Sequence, residues 1–274
     1  MRFKRLLLIT SFLLLITSTA YAKIVITCSS FPVFDFARNI AGNDAEIKLL
    51  LRPGMEPHEF EPSPMDIVTL NDSDVFIYTG PELEHWAEKI SHSLENTRII
   101  NASENIELVN NDPHIWMDMQ MASHMAANIL TGLIMADSQN SESYMDNAQK
   151  FLHELAELDG DFMSLPRNKT LVFAGEFAAN YFIARYGFKY ISAYDGENEP
   201  GIKRITEIID FIRNNGTKYI LADDFGGSQI TRSIANETGT QILTFSTAHA
   251  SSENDSFIAI MRQNLESLRL ALND

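Results

Sequence analysis

The sequence predicts an α/β fold of two lobes, each a parallel sheet of roughly four strands with flanking helices, joined by one long rigid helix. Three observations carry this prediction. Short β-rich runs alternate with helical patterns, as in sheets whose parallel strands are joined by crossover helices. The runs form two sets, one before residue 101 and one after residue 169. Between the sets lies a single long amphipathic pattern.

The strands are assigned from β-branched and aromatic residues bounded by turn-forming residues. The first set is predicted at Lys23–Cys28, Glu46–Arg52, Asp74–Tyr78 and Arg98–Ile100. The second set is predicted at Thr170–Ala174, Lys189–Tyr194, Lys218–Ala222 and Thr240–Phe245. Among the later helices, the one through Ile230 and Ile234 is expected to end at Gly239, a typical C-terminal cap.

The joining helix is predicted from apolar residues that recur at spacings of four and three. They are Tyr144, Ala148, Phe151, Leu155, Leu158 and Phe162. Ser141 is a suitable start and Pro166 a suitable stop, which gives a helix of roughly 37 Å. We therefore expect an N-terminal lobe at 23–137, a linking helix at 138–166 and a C-terminal lobe at 167–274.

Residues 1–22 are predicted to be a cleaved export signal. Arg2, Lys4 and Arg5 precede an apolar run that is too short to span a bilayer. Ala20-Tyr21-Ala22 then fits a signal-peptidase site, which predicts a periplasmic protein. The only cysteine, Cys28, lies six residues beyond this site, so we expect it to be buried in the first strand rather than lipidated.

Charge and cysteine content exclude some classes of function. The formal net charge is −16, and loss of the three basic residues of the signal would make it −19. A surface this acidic disfavours nucleic acid as a partner. A single cysteine allows no intramolecular disulfide.

Four side chains that commonly bind metals stand in loops where strands end or helices begin. His58 follows the second strand in a proline-rich loop, and His114 follows Pro113 before a predicted helix. Glu176 directly follows a strand of the second set, and His249 follows the last strand. In open α/β sheets ligands bind beyond the carboxyl ends of strands. Two ligands from each half of the chain predict a cation held between two lobes, which indicates capture rather than catalysis.

The other histidines and the methionines have simpler interpretations. His85 is expected to cap or pair on a helix, and the histidines at 92, 124 and 153 are expected on helix surfaces or in satisfied contacts. Core packing is expected for the methionines at 117, 119, 121 and 125, rather than binding of a soft metal. Asp112 is a possible partner that orients the ring of His114.

With these residues identified, the chain resembles the substrate-binding proteins of ABC-type zinc and manganese importers over essentially its whole mature length. The resemblance rests on Pro57-His58-Glu59-Phe60-Glu61-Pro62-Ser63-Pro64, Gly80-Pro81-Glu82-Leu83-Glu84-His85-Trp86, Asp112-Pro113-His114-Ile115-Trp116-Met117-Asp118 and Phe173-Ala174-Gly175-Glu176-Phe177. It implies two lobes joined by a rigid helix, one cation between them, and delivery of that cation to a membrane permease driven by a cytoplasmic ATPase.

Two positions depart from the common pattern of that family. The third ligand is often histidine in zinc members and glutamate in many manganese members, and here it is Glu176. The fourth is commonly an aspartate just after the last strand, where this chain has Phe245 and Ser246. A subgroup has a later Ala-His pair, which Ala248-His249 resembles. His249 is therefore the expected fourth ligand, and the weaker substitutes are Asp223, Asp224 and Asp255.

Three imidazoles and one carboxylate favour Zn²⁺ as transported cargo, with Mn²⁺ as the alternative. We expect a monomer that is not an enzyme. A zinc hydrolase would need an open coordination position and a general base, and no His-Glu-x-x-His motif is present. The remaining alternatives are a metal-dependent surface adhesin and a binder of iron or another metal.

Overall fold

The fold is described by a computed structural model that covers residues 22–52, 54–175, 178–194, 199–223, 228–249 and 251–273. The predicted signal peptide therefore lies outside the described residues, except for Ala22. Over these ranges, no helix combines the length and the apolar character required to cross a bilayer.

Two parallel four-stranded sheets are present, as the sequence predicts. The N-terminal sheet has the order β2-β1-β3-β4 and the C-terminal sheet the order β6-β5-β7-β8. The strands are β1 Ile24–Cys28, β2 Ala45–Leu49, β3 Val75–Tyr78, β4 Arg98–Asn101, β5 Thr170–Phe173, β6 Lys189–Ser192, β7 Tyr219–Ala222 and β8 Gln241–Thr244. The same topology in both halves brings the loops after the strands to one edge of each sheet.

Helices flank both sheets. They are α1 Phe31–Ala41, α2 Pro64–Asn71, α3 His85–Ser91, α4 Met119–Ala136, α5 Ser141–Ser164, α6 Asn180–Tyr186, α7 Ile202–Asn215, α8 Gln229–Thr238 and α9 Phe257–Asn273. As predicted, α8 ends at Gly239, whose φ of 72° is left-handed and whose N–H donates to the carbonyl of Ala235. The helix expected directly after His114 instead starts at Met119, because one 3₁₀ turn, Ile115–Met117, comes first.

Helix α5 is the predicted long element, about 36 Å in length. Its buried residues are the six of the predicted stripe, Tyr144, Ala148, Phe151, Leu155, Leu158 and Phe162. Each large apolar side chain buried in this way stabilises the fold by about 1.5–3 kcal/mol. The helix ends just before Pro166, whose ring forces the preceding residue, Leu165, into the extended region observed there.

One apolar core runs without a break from the N-terminal sheet to the C-terminal sheet. It contains residues of α1, α4, α5, α6 and α9 together with the inner faces of both sheets. Phe36 of α1 makes edge contacts with Phe151 of α5 and Phe257 of α9, each with ring centroids 5.0 Å apart. The predicted core roles of Cys28 and of Met117 and Met119 are confirmed, because all three are buried. Continuous packing of this kind fixes the positions of the two sheets relative to each other.

A polar tie joins α1 to the loop that precedes α9. The carboxylate of Asp35 is fully buried and accepts a hydrogen bond from the backbone N–H of Phe257 at 3.0 Å. Arg38 donates to Asp35 and to the carbonyl oxygens of Glu253 and Asp255. The loop between β8 and α9 is thereby attached to the N-terminal half of the molecule.

A second polar tie, centred on Arg185 of α6, joins three helices. Its guanidinium makes two hydrogen bonds to Asp159 of α5, at 2.9 and 2.5 Å, and one to Gln120 of α4 at 2.7 Å. Nε also lies 3.3 Å from the carboxylate of Asp118, which caps the start of α4. The hydrogen bond to Asp159 is the main reason that the pKa of Arg185 is raised above its ordinary value.

Replacement of this largely buried cation should destabilise the fold, because two acidic side chains would lose their partner. We expect Arg185→Ala to lower the free energy of unfolding by about 2–4 kcal/mol. Arg213→Ala is the matched control, because Arg213 pairs with Glu237 on the surface and should cost less than about 1 kcal/mol. Urea titration of both variants measures the difference, and equal losses would contradict a bridging role for Arg185.

Candidate metal centre

The loops that follow β2, β4 and β8 meet between the two sheets. His58 follows β2, in the 3₁₀ turn Pro57–Glu59, and His114 follows β4. His249 follows β8. Each loop turns through left-handed backbone shortly before its histidine, at Gly54, at 110–111 and at Ala248.

His58 and His114 face each other through their Nε2 atoms, which lie 3.3 Å apart. The ring centroids are separated by 5.3 Å. In tetrahedral zinc sites with Zn–N bonds of about 2.0–2.1 Å, two ligand nitrogens lie about 3.3–3.4 Å from each other. The two imidazoles therefore have the separation that two ligands of one ion require.

Asp112 fixes the ring of His114. Its Oδ1 accepts from the backbone N–H of His114 at 3.0 Å and lies 2.7 Å from Nδ1 of the ring. Burial alone raises the pKa of Asp112, but hydrogen bonds from His114 and Asn180 outweigh burial and lower the pKa to about 2. An ionised carboxylate can only accept, so Nδ1 is the donor, and Nε2 is the ring nitrogen left to bind a metal.

The loop that carries His249 is held by residues from both halves of the molecule. Nδ1 of His249 is hydrogen-bonded to the hydroxyl of Thr247, whose carbonyl accepts from the buried indole of Trp116 at 2.7 Å. Ala248 has a φ of +63°, a conformation that costs a non-glycine residue about 1–2 kcal/mol. Contacts with surrounding residues must stabilise this turn. The turn directs the side chain of His249 back toward the loop after β2.

Glu56 is a residue of the site that sequence reasoning missed. One carboxylate oxygen lies 3.4 Å from Nε2 of His249, and the other accepts from the backbone N–H of His58 at 3.3 Å. Burial alone raises the pKa of Glu56, but the hydrogen bond and charge of His249, followed by the N–H of His58, bring it below its ordinary value. Its position two residues before His58 is the sequence feature that could have identified Glu56 as part of the site.

The predicted ligands are only partly brought together. His58 and His114 face each other, whereas His249 is placed beside Glu56. Glu176 lies outside the described residues, as does the substitute Asp224. In the part of the chain that the structure describes, no three His, Cys, Asp or Glu side chains are grouped closely enough to hold an ion. The four-ligand set stays a prediction.

The other two substitute ligands differ in their surroundings. Asp223 follows β7, and its backbone N–H is close to the position that a Cβ on Gly175 would occupy. Its buried Oδ1 has no hydrogen-bond partner among the described residues. Asp255 is exposed and accepts two hydrogen bonds from Ser252, both at 2.7 Å, so its carboxylate is already used in a turn. The histidines at 85, 92, 124 and 153 are all exposed.

Comparison with known proteins identifies the family. The model of the family described as ZnuA, zinc-uptake complex component A periplasmic, matches residues 26–271. The chain belongs to this family. Members are metal-binding components of transport systems, and the family description places them in the periplasm.

Individual relatives agree with this assignment. The zinc-binding protein AdcA of Streptococcus pyogenes is 28% identical over 92% of this chain, which spans 56% of that protein. The Zn(II)-bound ZnuA-like domain of Streptococcus pneumoniae AdcA has a TM-score of 0.80 at 26% identity, covering 92% of this chain and all of that domain. The laminin-binding protein Lmb of Streptococcus agalactiae, described as a bifunctional adhesin and metal transporter, has a TM-score of 0.80 at 28% identity, with 92% and 100% coverage.

A buried carboxyl group, Glu84, lies between the ends of two strands of the N-terminal sheet. Its oxygens accept hydrogen bonds from the hydroxyl of Ser29 at 2.6 Å and from the N–H of Gly80 at 3.1 Å. These two residues follow β1 and β3, the central strands of the sheet, so Glu84 ties their ends together. Burial raises the pKa of Glu84 to about 7, although the hydrogen bonds partly oppose the shift.

This shift predicts how stability depends on pH. The folded-state pKa of Glu84 is about 7 and its ordinary value is 4.5. The stabilisation is therefore fully present below pH 4.5 and is lost as the pH rises through 7. The free energy of unfolding lost over this pH interval is at most about 3 kcal/mol. Glu84→Gln cannot ionise, so its unfolding free energy relative to wild type should increase over this interval.

Urea unfolding at a series of pH values measures this difference. Glu88→Gln, at an exposed position on the neighbouring helix α3, is the control. If the difference between Glu84→Gln and wild type stays constant with pH, Glu84 ionises in the folded protein as it does in the unfolded chain.

Proposed function

We propose that this protein captures Zn²⁺ outside the inner membrane and delivers it to an ABC import permease. The observation that carries the proposal is the 3.3 Å separation between the Nε2 atoms of His58 and His114, which matches two ligands of one tetrahedral zinc ion. Membership of the zinc-uptake family and similarity to a Zn(II)-bound domain support it.

The proposed ligands are His58, His114, Glu176 and His249. Three neutral imidazoles and one carboxylate would complete a closed tetrahedral site without a water ligand. In this arrangement the ion joins loops of the N-terminal lobe, at 23–137, to loops of the C-terminal lobe, at 167–274, across the linking segment at 138–166. Bound metal would thereby hold the lobes in one arrangement that the permease recognises.

Zinc is preferred to manganese because of the donor atoms. Imidazole nitrogen suits zinc, whereas manganese favours more oxygen ligands and a higher coordination number. The similar proteins from Streptococcus pyogenes and Streptococcus pneumoniae are named for zinc. Because metal binding requires neutral imidazoles, zinc affinity should fall as the pH drops below about 6.

The proposal extends to the setting of the protein. A signal peptide at 1–22 would direct the chain to the periplasm, where the mature protein acts as a monomer and meets its permease. No catalytic role is proposed, because four protein ligands would leave no coordination position for a substrate or for an activated water.

A second candidate function is metal-dependent adhesion. The similarity to Lmb, a protein described as both adhesin and metal transporter, favours it. A deletion strain separates the two functions: loss of growth under zinc limitation indicates transport, and loss of attachment alone indicates adhesion.

Titration of the mature, metal-free protein with zinc should show one tight site per monomer. His58→Ala and His114→Ala should each weaken zinc binding by more than about 100-fold, beyond the effect of residues that only orient a ligand. Calorimetry with a competing chelator measures these affinities.

His92→Ala and His124→Ala are matched controls, because both side chains are exposed. They should bind zinc as the wild type does. Wild-type affinity in both His58→Ala and His114→Ala would refute the assignment. Manganese that displaces bound zinc at equal concentration would refute the choice of metal.

A further inference from the structure

The first turn of α6 contacts the loop that carries His114. The hydroxyl of Tyr181 accepts from the backbone N–H of Val109 at 2.9 Å and donates to the carbonyl of Asp112 at 3.0 Å. The side-chain amide of Asn180 donates to Oδ2 of Asp112 at 3.0 Å. Helix α6 follows β5 of the C-terminal sheet, whereas the loop follows β4 of the N-terminal sheet. The contact therefore crosses from one half of the molecule to the other.

The loop needs this support because of its backbone. Asn110 and Asn111 both have positive φ, at 56° and 57°. Asparagine tolerates this conformation better than most residues, but two in succession are still unfavourable for L-amino acids. Across the turn, the backbone N–H of Asp112 donates to the carbonyl of Val109 at 3.1 Å. The hydroxyl of Tyr181 joins the same two residues, and its side chain is only 5% exposed.

Asp112 transmits this support to the imidazole, because its two carboxylate oxygens have different partners. Oδ1 accepts hydrogen bonds from the backbone N–H and the ring Nδ1 of His114, and Oδ2 accepts one from the side-chain amide of Asn180. A carboxylate held at both oxygens cannot rotate freely about its terminal bond. The ring that it orients is then fixed with Nε2 directed toward His58, 3.3 Å away.

We propose that Tyr181 and Asn180 are positioning residues for the metal centre, acting on His114 through Asp112 from across the boundary between the lobes. This inference rests on the proposed function, because it requires His114 to be a ligand. A metal ligand of the N-terminal half is thereby oriented by a helix of the C-terminal half. Separation of the lobes would loosen His114 as well as move the ligands apart, which couples release of the ion to opening.

Zinc affinity of hydroxyl- and amide-deletion variants tests the proposal. Tyr181→Phe removes two hydrogen bonds and Asn180→Ala removes one to Asp112. Each variant should weaken zinc binding about threefold, at the low end of what loss of a hydrogen bond costs. The double variant should lose about tenfold, the lower end of the range for residues that orient a ligand. Tyr144→Phe is the control, because it removes a buried hydroxyl that donates to Asp137 at 2.7 Å on another part of the molecule. Its zinc affinity should equal that of the wild type.

A spectroscopic measurement distinguishes a specific effect on the His114 ring from a nonspecific loss of structure in the variants. The ¹⁵N shifts of the His114 ring in the metal-free protein report which nitrogen carries the proton, with His114→Ala used for assignment. Wild type should show the form protonated at Nδ1, and the double variant a mixture of both forms. Unchanged affinity, or lower affinity with an unchanged ring signal, overturns the proposal. If His114→Ala itself binds zinc normally, the proposed function fails instead.

Discussion

The site depends on the boundary between the two sheets being held in one arrangement. Its histidines come from loops after β2, β4 and β8, so no single sheet supplies them all. A rigid frame can be built from packing alone when the core is continuous, and here one apolar core joins α1, α4, α5, α6 and α9. The frame matters for binding because a ligand set that is already in place spends less free energy on ordering when the ion arrives.

Polar contacts across the same boundary refine the positions that packing sets. The indole of Trp116 donates to the carbonyl of Thr247, and Thr247 in turn contacts the ring of His249. Asp35 accepts from the N–H of Phe257 at the start of α9. Each contact joins a residue of the N-terminal half to a loop or helix of the C-terminal half. Together they fix the loops around His114 and His249 before metal arrives, although the described residues do not yet group three ligands for one ion.

Sequence reasoning succeeded where the pattern is local and failed where it is not. The stripe on α5 was predictable because helical spacing alone decides which residues face the core. The convergence of His58 and His114 was suggested by the rule that parallel strands share a carboxyl edge. The contacts of Glu56 with His249 and of Asn180 with Asp112 could not be found this way, because the partners lie far apart along the chain and no periodicity marks them. The site residues Glu176 and His249 stay predictions.

Crystallography of the metal-loaded protein, or X-ray absorption together with ligand variants, would show directly which side chains coordinate bound zinc. We expect a single ion with Nε2 of His58 and Nε2 of His114 both at about 2.0–2.1 Å. A zinc ion bound elsewhere, or bound here without either imidazole, would contradict it.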